Sequence, residues 1–246
     1  MTRTVVVTGA ASGIGAHTAT RLREDGWHVI GMDISIAGMQ AGENFTPIAC
    51  DVRDPAAVEA AFAQATRGGG KLNALIACAG ILRTGPIAEQ TVEDFDLVFG
   101  VNVRGLWLCA KHALPALKRA AAAGETARMV LLSSIASIRP KVNGGVYAAS
   151  KAAVSQLTKV LAVEHAADGV LINAVAPATV DTPMVRPALN SNTGNYRPSG
   201  NSPLGRIAEP EDVTRLIRFL LSDDAAYITG TIIPVDGGTS AAFVPS

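Results

Sequence analysis

The feature that most constrains the fold is a repeated alternation of short β-branched or aliphatic runs with longer stretches of helical spacing. The strand-like runs are Thr4–Thr8, His28–Asp33, Phe45–Cys50, Ala74–Ala79, Ala127–Ser133, Leu171–Val175 and Thr231–Val235. Helical spacing falls at Ala16–Asp25, Pro55–Thr66, Phe95–Ala123, Val146–Ala167 and Glu211–Ser222. Strands that are apolar at consecutive positions are buried on both faces, and a helical crossover brings the chain back to the same end of the sheet. The chain therefore reads as α/β: a parallel sheet with helices on both faces, and ligands beyond the carboxyl ends of its strands. Its 246 residues suit one domain with a sizeable core, and Gly68-Gly-Gly70 reads as a turn rather than a linker.

The first strand runs directly into Gly9-Ala-Ala-Ser-Gly13-Ile-Gly15. Glycines at a strand–helix junction let backbone approach a pyrophosphate, and the helix start supplies amide donors and positive potential. The bare pattern says little in a chain with 24 glycines; its place at the first junction of an α/β chain gives it weight. Tyr147 and Lys151 stand at i and i+4, on one helix face. An unperturbed phenol titrates near ~10, and an adjacent ammonium favours the phenolate and draws that value toward neutrality. A phenol tuned in this way can exchange a proton with an alcohol or ketone. Taken alone, the pair is as readily a solvated couple on an amphipathic helix.

Composition removes several function classes. Lys plus Arg equals Asp plus Glu at 21 each, so nothing marks a nucleic-acid surface. No apolar run approaches the ~20 residues that span a bilayer, and no basic amphipathic stretch suggests a membrane surface. The chain opens on a strand and a glycine turn rather than a signal peptide. Cys50, Cys78 and Cys109 have no Cys-x-x-Cys spacing, which favours free thiols in a reducing compartment, and a cytoplasmic location is expected. His17, His28, His112 and His165 are scattered, so no metal site is expected.

Eight motifs then occur in a fixed order. They are Thr8-Gly-Ala-Ala-Ser-Gly-Ile-Gly15, Asp51-Val52, Ala79-Gly80, Asn102-Val-Arg-Gly105, Ser134, Tyr147-Ala-Ala-Ser-Lys151, Pro177 with Thr182, and Ile228-Thr-Gly230 through Val235-Asp-Gly-Gly238. In this order they resemble the short-chain dehydrogenase/reductases over essentially the whole chain. The resemblance implies a Rossmann-type, doubly wound, seven-stranded parallel sheet forming one NAD-binding catalytic domain. It also implies a substrate lid around residues 181–208 and a homotetramer. Trp107, Leu108, Leu157 and Val160, on two long helices, are the apolar positions expected to meet a partner copy.

The resemblance further implies roles for particular residues. Ser134 hydrogen-bonds the substrate oxygen; its thirteen-residue spacing to Tyr147 selects it over Ser133. Tyr147 is the acid–base, Lys151 tunes it and holds the nicotinamide ribose, and Asn102 completes a proton relay through a water. Cofactor contacts are implied for Gly9, Ser12, Gly13, Ile14, Gly15, Asp33, Asp51, Val52, Ala79, Gly80, Tyr147, Lys151, Pro177, Val180 and Thr182. Asp33 ends the second strand, where a carboxylate can accept from ribose hydroxyls and repel the extra phosphate of NADP. The glycine turn carries no Lys or Arg and Ile34 follows Asp33, so NAD is the expected cofactor. A turn or N-cap aspartate is the competing reading of Asp33. A non-catalytic NAD-binding member would be expected to lack the Tyr, the Lys or the glycine turn, and all are present.

Two positions depart from the family pattern. Ala77-Cys-Ala-Gly80 stands where Asn-Asn-Ala-Gly is usual, and Pro177-Ala178 where Pro-Gly is usual. Loss of the amides should weaken cross-links at that strand end, and Ala178 is tolerable unless its φ is positive. Within the family, Ala79-Gly-Ile-Leu-Arg-Thr-Gly85, Asn102-Val-Arg-Gly105 and Pro203-Leu-Gly-Arg-Ile-Ala208 are most similar to the 2,3-dihydro-2,3-dihydroxybenzoate dehydrogenases. The implied substrate is a small cyclic alcohol, ketone or dihydrodiol, with general alcohol dehydrogenase or ketoreductase activity as the alternative. Arg83, Arg139, Lys141 and Arg186 are the cations near the expected mouth that could receive a carboxylate.

Overall fold

A computed structural model describes residues 2–187 and 202–241. Strands β1 (Thr4–Thr8), β2 (His28–Asp33), β3 (Phe45–Ala49), β4 (Ala74–Ala77), β5 (Arg128–Leu132), β6 (Leu171–Pro177) and β7 (Ile232–Val235) form one sheet. Its order is β3-β2-β1-β4-β5-β6-β7, with every neighbouring pair parallel. The helices are α1 (Gly13–Glu24), α2 (Pro55–Ala65), α3 (Val92–Phe99), α4 (Leu106–Ala122), α5 (Gly145–His165) and α6 (Pro210–Leu220). The strand order reverses direction between β1 and β4, and that switch point opens a crevice above the carboxyl ends of the strands.

Side-chain alternation along each strand divides the core between the two faces. Val5 and Val7 pack with Val29, Ile76, Val130 and Val175 beneath α1 and α6. Val6, one residue out of phase, joins Ile30, Ile48, Leu75, Met129 and Ile172 beneath α2, α4 and α5. Local signals fix several helix starts. Pro55 occupies the first turn of α2 while Asp54 Oδ1 accepts from the Ala56 amide at 2.9 Å. Thr91 Oγ1 accepts from Asp94 N at 3.1 Å to cap α3. Among the described residues, no helix is long and apolar enough to cross a membrane.

The structure corrects the sequence reading at several points. The helix expected over Phe95–Ala123 begins at Val92 and is interrupted by a π-helical segment, Gly100–Gly105, between α3 and α4. Strands β3, β4 and β5 stop one or two residues short because their last residues turn toward the crevice. Leu108, expected on a partner surface, is 4% exposed and belongs to the chain's own core. Trp107 and Val160 do remain exposed. Ala178 is not among the positive-φ residues, so the Gly-to-Ala departure costs no backbone strain.

Candidate active site

A cavity of about 470 Å³ lies over the carboxyl ends of β1, β2 and β4–β6. Gly9, Ser12, Gly13, Ile14 and Gly15 line one side, and Gly9 and Gly13 adopt φ of +67° and +54°. Ser12, the N-cap of α1, makes no side-chain capping bond, and the first turn holds no acidic residue. The α1 amides are therefore left for an anion, as a dinucleotide pyrophosphate requires. Asp33, Asp51, Val52, Ala79, Gly80, Pro177, Val180 and Thr182 line the same cavity. Asp33 Oδ2 accepts from the Ala11 amide at 3.0 Å and Oδ1 from the Ser35 amide at 3.2 Å. The aspartate thus makes a turn and ties the glycine loop to β2 while facing the cavity. Asp51 is chelated by Arg53 at 2.6–3.0 Å, which holds its carboxyl below the ordinary range.

The other half of the cavity gathers Ser134, Tyr147 and Lys151 from β5's end and α5. Lys151 Nζ lies 5.8 Å from the Tyr147 ring centroid and donates to the Leu132 carbonyl at 2.7 Å. The two serines divide their work. Ser133 also borders the cavity, but its Oγ is taken up by the Lys151 carbonyl at 3.1 Å and Ser155 Oγ at 2.8 Å. Ser134 starts a short 3-10 turn in which its Oγ accepts from the Ala136 amide at 3.2 Å.

Asn102 is fully buried in the π-helical segment and does not line the cavity. A widened turn rotates a side chain out of the register of the flanking helix, and such turns recur at functional sites. Here Oδ1 accepts from the Ile81 amide at 2.8 Å and Nδ2 donates to the Ile81 carbonyl at 3.0 Å. Nδ2 also donates to Ser150 Oγ at 3.1 Å, and Ser150 donates to the Tyr147 carbonyl at 2.7 Å. One amide therefore joins the loop after β4 to the turn that carries Tyr147. Thr8 Oγ1, accepting from Ala79 N at 3.1 Å, adds a second anchor where the two asparagines of the family pattern are missing. Ser150 was legible only as a letter inside the Tyr–Lys motif, without an assigned task.

Burial pushes the Lys151 ammonium down to about 8, partly opposed by Cys78. Burial also pushes the Cys78 thiol up to about 12, so it is inert at neutral pH. Because the folded state binds the lysine proton less tightly than the unfolded chain, the cost of burial is full below about pH 8 and fades as pH rises toward ~10. In ligand-free protein, wild type is expected to gain about 2 kcal/mol over Lys151→Met between about pH 7 and about pH 10. Urea denaturation across that interval measures it, and a flat difference contradicts the burial argument.

The four candidate cations separate clearly. Arg186 is engaged by Asp181 at 2.7 and 3.3 Å, and Arg139 donates to the Thr239 carbonyl at 2.6 Å. Lys141 is half-buried, which pushes its ammonium down to about 8. Of the four, Arg83 lines the cavity. The lid expected around 181–208 is described only at its ends, with residues 188–201 outside the described residues. Met184 and Val185 reach the cavity, and the Asp181 amide donates to the Ala208 carbonyl at 2.9 Å, closing the base of the segment.

Comparison with known proteins agrees with this geometry. A family model described as enoyl-(acyl carrier protein) reductase matches residues 9–240. The cis-4-hydroxycyclohexanecarboxylate dehydrogenase of Sinomonas cyclohexanicum is 40% identical over 97% of this chain and 97% of its own length. Levodione reductase of Leifsonia aquatica is 34% identical over 98% of this chain and 95% of its own. The crystal structure of a 3-ketoacyl-(acyl-carrier-protein) reductase from Brucella melitensis, complexed with NADH, superposes with a TM-score of 0.86 at 31% identity. That match covers 97% of this chain and 98% of the other.

Proposed function

The chain belongs to the short-chain dehydrogenase/reductase family, and from that premise we propose that it transfers hydride between NAD and a cyclic secondary alcohol or dihydrodiol. The observation that carries the proposal is one cavity with two chemically different halves. An uncapped helix start and a carboxylate face one half, and a phenol beside a buried ammonium faces the other. NAD, when bound, supplies the hydride acceptor, and its reduced form the donor. Gly9, Ser12–Gly15, Asp33, Asp51, Val52, Ala79, Gly80, Pro177, Val180 and Thr182 are the residues that would hold it.

Tyr147 takes the carbinol proton at its phenolic oxygen in oxidation and returns it to the alkoxide oxygen in reduction. Lys151 supports the phenolate electrostatically, and its ammonium acts strongly because it is buried. Ser134 hydrogen-bonds the substrate oxygen and fixes it against the phenol. Asn102 holds Tyr147 through Ser150 and, by the family resemblance, completes a proton relay through a water. These residues contribute position and electrostatics.

A ring substrate is supported by the apolar walls at Ile81, Met184 and Val185 and by the relative named for a hydroxycyclohexanecarboxylate. The test is a panel containing cyclohexanol, both 4-hydroxycyclohexanecarboxylate isomers, 2,3-dihydro-2,3-dihydroxybenzoate and linear secondary alcohols, read by NADH formation. Ring alcohols are expected to lead; linear alcohols at equal kcat/KM would favour a general alcohol dehydrogenase or ketoreductase.

NAD is preferred over NADP in this reading because Asp33 faces the adenosine end without a nearby partner cation at Ile34. Asp33→Ala combined with Ile34→Arg is expected to invert the preference. Asp33 also holds the Ala11 amide, so the swap carries a cost: efficiency with the better cofactor should fall about tenfold below wild type with NAD. Equal use of both cofactors by the wild type would refute the role of Asp33.

A further inference from the structure

We propose that Arg83 receives a carboxylate on the substrate, which makes the substrate class a cyclic hydroxy acid and its oxo acid; the proposal rests on the hydride-transfer reading above. Among the described residues, three cations line the cavity: Arg53, Arg83 and Lys151. Arg53 is chelated by Asp51, and Lys151 is buried and held by the Leu132 carbonyl. Arg83 is held loosely. Its Nε lies 3.5 Å from Asp94 Oδ1, its Nη1 donates to the Leu82 carbonyl at 3.2 Å, and half of its side chain is exposed. An exposed ion pair of that length contributes little. A substrate carboxylate offers the guanidinium a two-pronged, charge-assisted partner in its place.

The backbone that carries Arg83 is, by contrast, firmly anchored to the catalytic helix. Gln90 Nε2 donates to the Arg83 carbonyl at 3.3 Å while its Oε1 accepts from the Val146 amide, next to Tyr147, at 2.7 Å. The Gly85 amide donates to the Asn143 carbonyl at 2.9 Å, and Ile81 is clasped by Asn102. Gly145, at φ +48°, is where a Cβ would run into Gln90 Oε1. A weakly paired guanidinium on an anchored stretch of backbone therefore lines the same cavity as the phenol, with apolar walls at Ile81, Met184 and Val185. That arrangement suits a ring carrying its hydroxyl at one end and an anion at the other.

The experiment compares 4-hydroxycyclohexanecarboxylate with its neutral carboxamide in wild type, Arg83→Met and Arg83→Lys, at saturating NAD. Wild type is expected to favour the acid at least tenfold in kcat/KM. Arg83→Met should collapse the acid-over-amide ratio toward one, a loss of about 10- to 100-fold arising mainly in KM. Arg83→Lys should fall between them, since charge remains and the fork is lost. Turnover of the amide shows that a variant is folded. A wild type that uses acid and amide equally, or an Arg83→Met variant that keeps the preference, overturns the carboxylate proposal and leaves hydride transfer standing. Absence of turnover on every ring alcohol tested would instead bring down the underlying reading.

Discussion

Tyr147→Phe is expected to lower turnover by ~100- to 10,000-fold while the fold and NAD binding survive, the range general acid–base catalysis usually supplies. The substitution keeps the ring and removes one oxygen. The backbone contacts of Tyr147, including its carbonyl bond from Ser150, do not involve that oxygen. No histidine lines the cavity to take over the proton: His17, His28, His112 and His165 all lie elsewhere. Two neighbours give contrasting signatures. Lys151→Ala should reduce turnover and NAD affinity together, because the same ammonium is assigned to phenol and ribose. Ser134→Ala should reduce turnover with little change in NAD affinity. NADH formation, NADH fluorescence titration and thermal unfolding separate the three outcomes. Near-wild-type turnover by the Phe variant would remove Tyr147 from proton transfer.

The sheet and its helices were legible because burial on both faces leaves an unbroken apolar run, and all seven strand positions fall within the runs read from sequence to within a residue or two. What escaped was geometry that leaves no periodic trace. The π-helical turn at Gly100–Gly105 sits inside a continuous helical pattern, so nothing in the spacing marks the place where Asn102 turns inward. Gln90, on a loop, and Ser150, within α5, bond to backbone atoms, which other polar residues at those places could also do. Leu108 and Trp107 are adjacent and both apolar, yet one is core and the other exposed. Burial of neighbours on a helix is decided by the sheet beneath it. The cavity-lining residues were readable because glycines and a carboxylate have a chemical reason to occur at a strand end, and a Tyr–Lys pair to share one helix face. The four cations had no such mark, and only coordinates distinguish Arg83, facing the cavity, from Arg186, bound to Asp181.

Gly15→Ala is expected to weaken NAD binding by about 10- to 100-fold, the scale of losing a charge-assisted hydrogen bond worth about 1.5–3 kcal/mol. Gly15 lies in the first turn of α1, and a Cβ there would be driven into the Gly9 carbonyl, with the Thr8 carbonyl also in tight contact. Those obstacles are backbone atoms and cannot swing aside like a flexible side chain. Nor can Gly9 retreat, since its own missing Cβ already brings it against the Ala79 amide at the end of β4. The stack runs from α1 through the glycine turn to β4, so an added methyl must push the helix start away from the site its amides serve. Overpacking of this kind also costs stability, typically ~1–3 kcal/mol. Gly26→Ala supplies the control. It introduces strain at φ +80° beyond the far end of α1, with nothing within 4 Å of the new methyl. Gly26→Ala should therefore lower thermal stability while leaving NAD affinity intact. Isothermal titration with NAD decides the matter: if Gly15→Ala binds as tightly as Gly26→Ala, the close approach of α1 to the glycine turn is not what holds the cofactor.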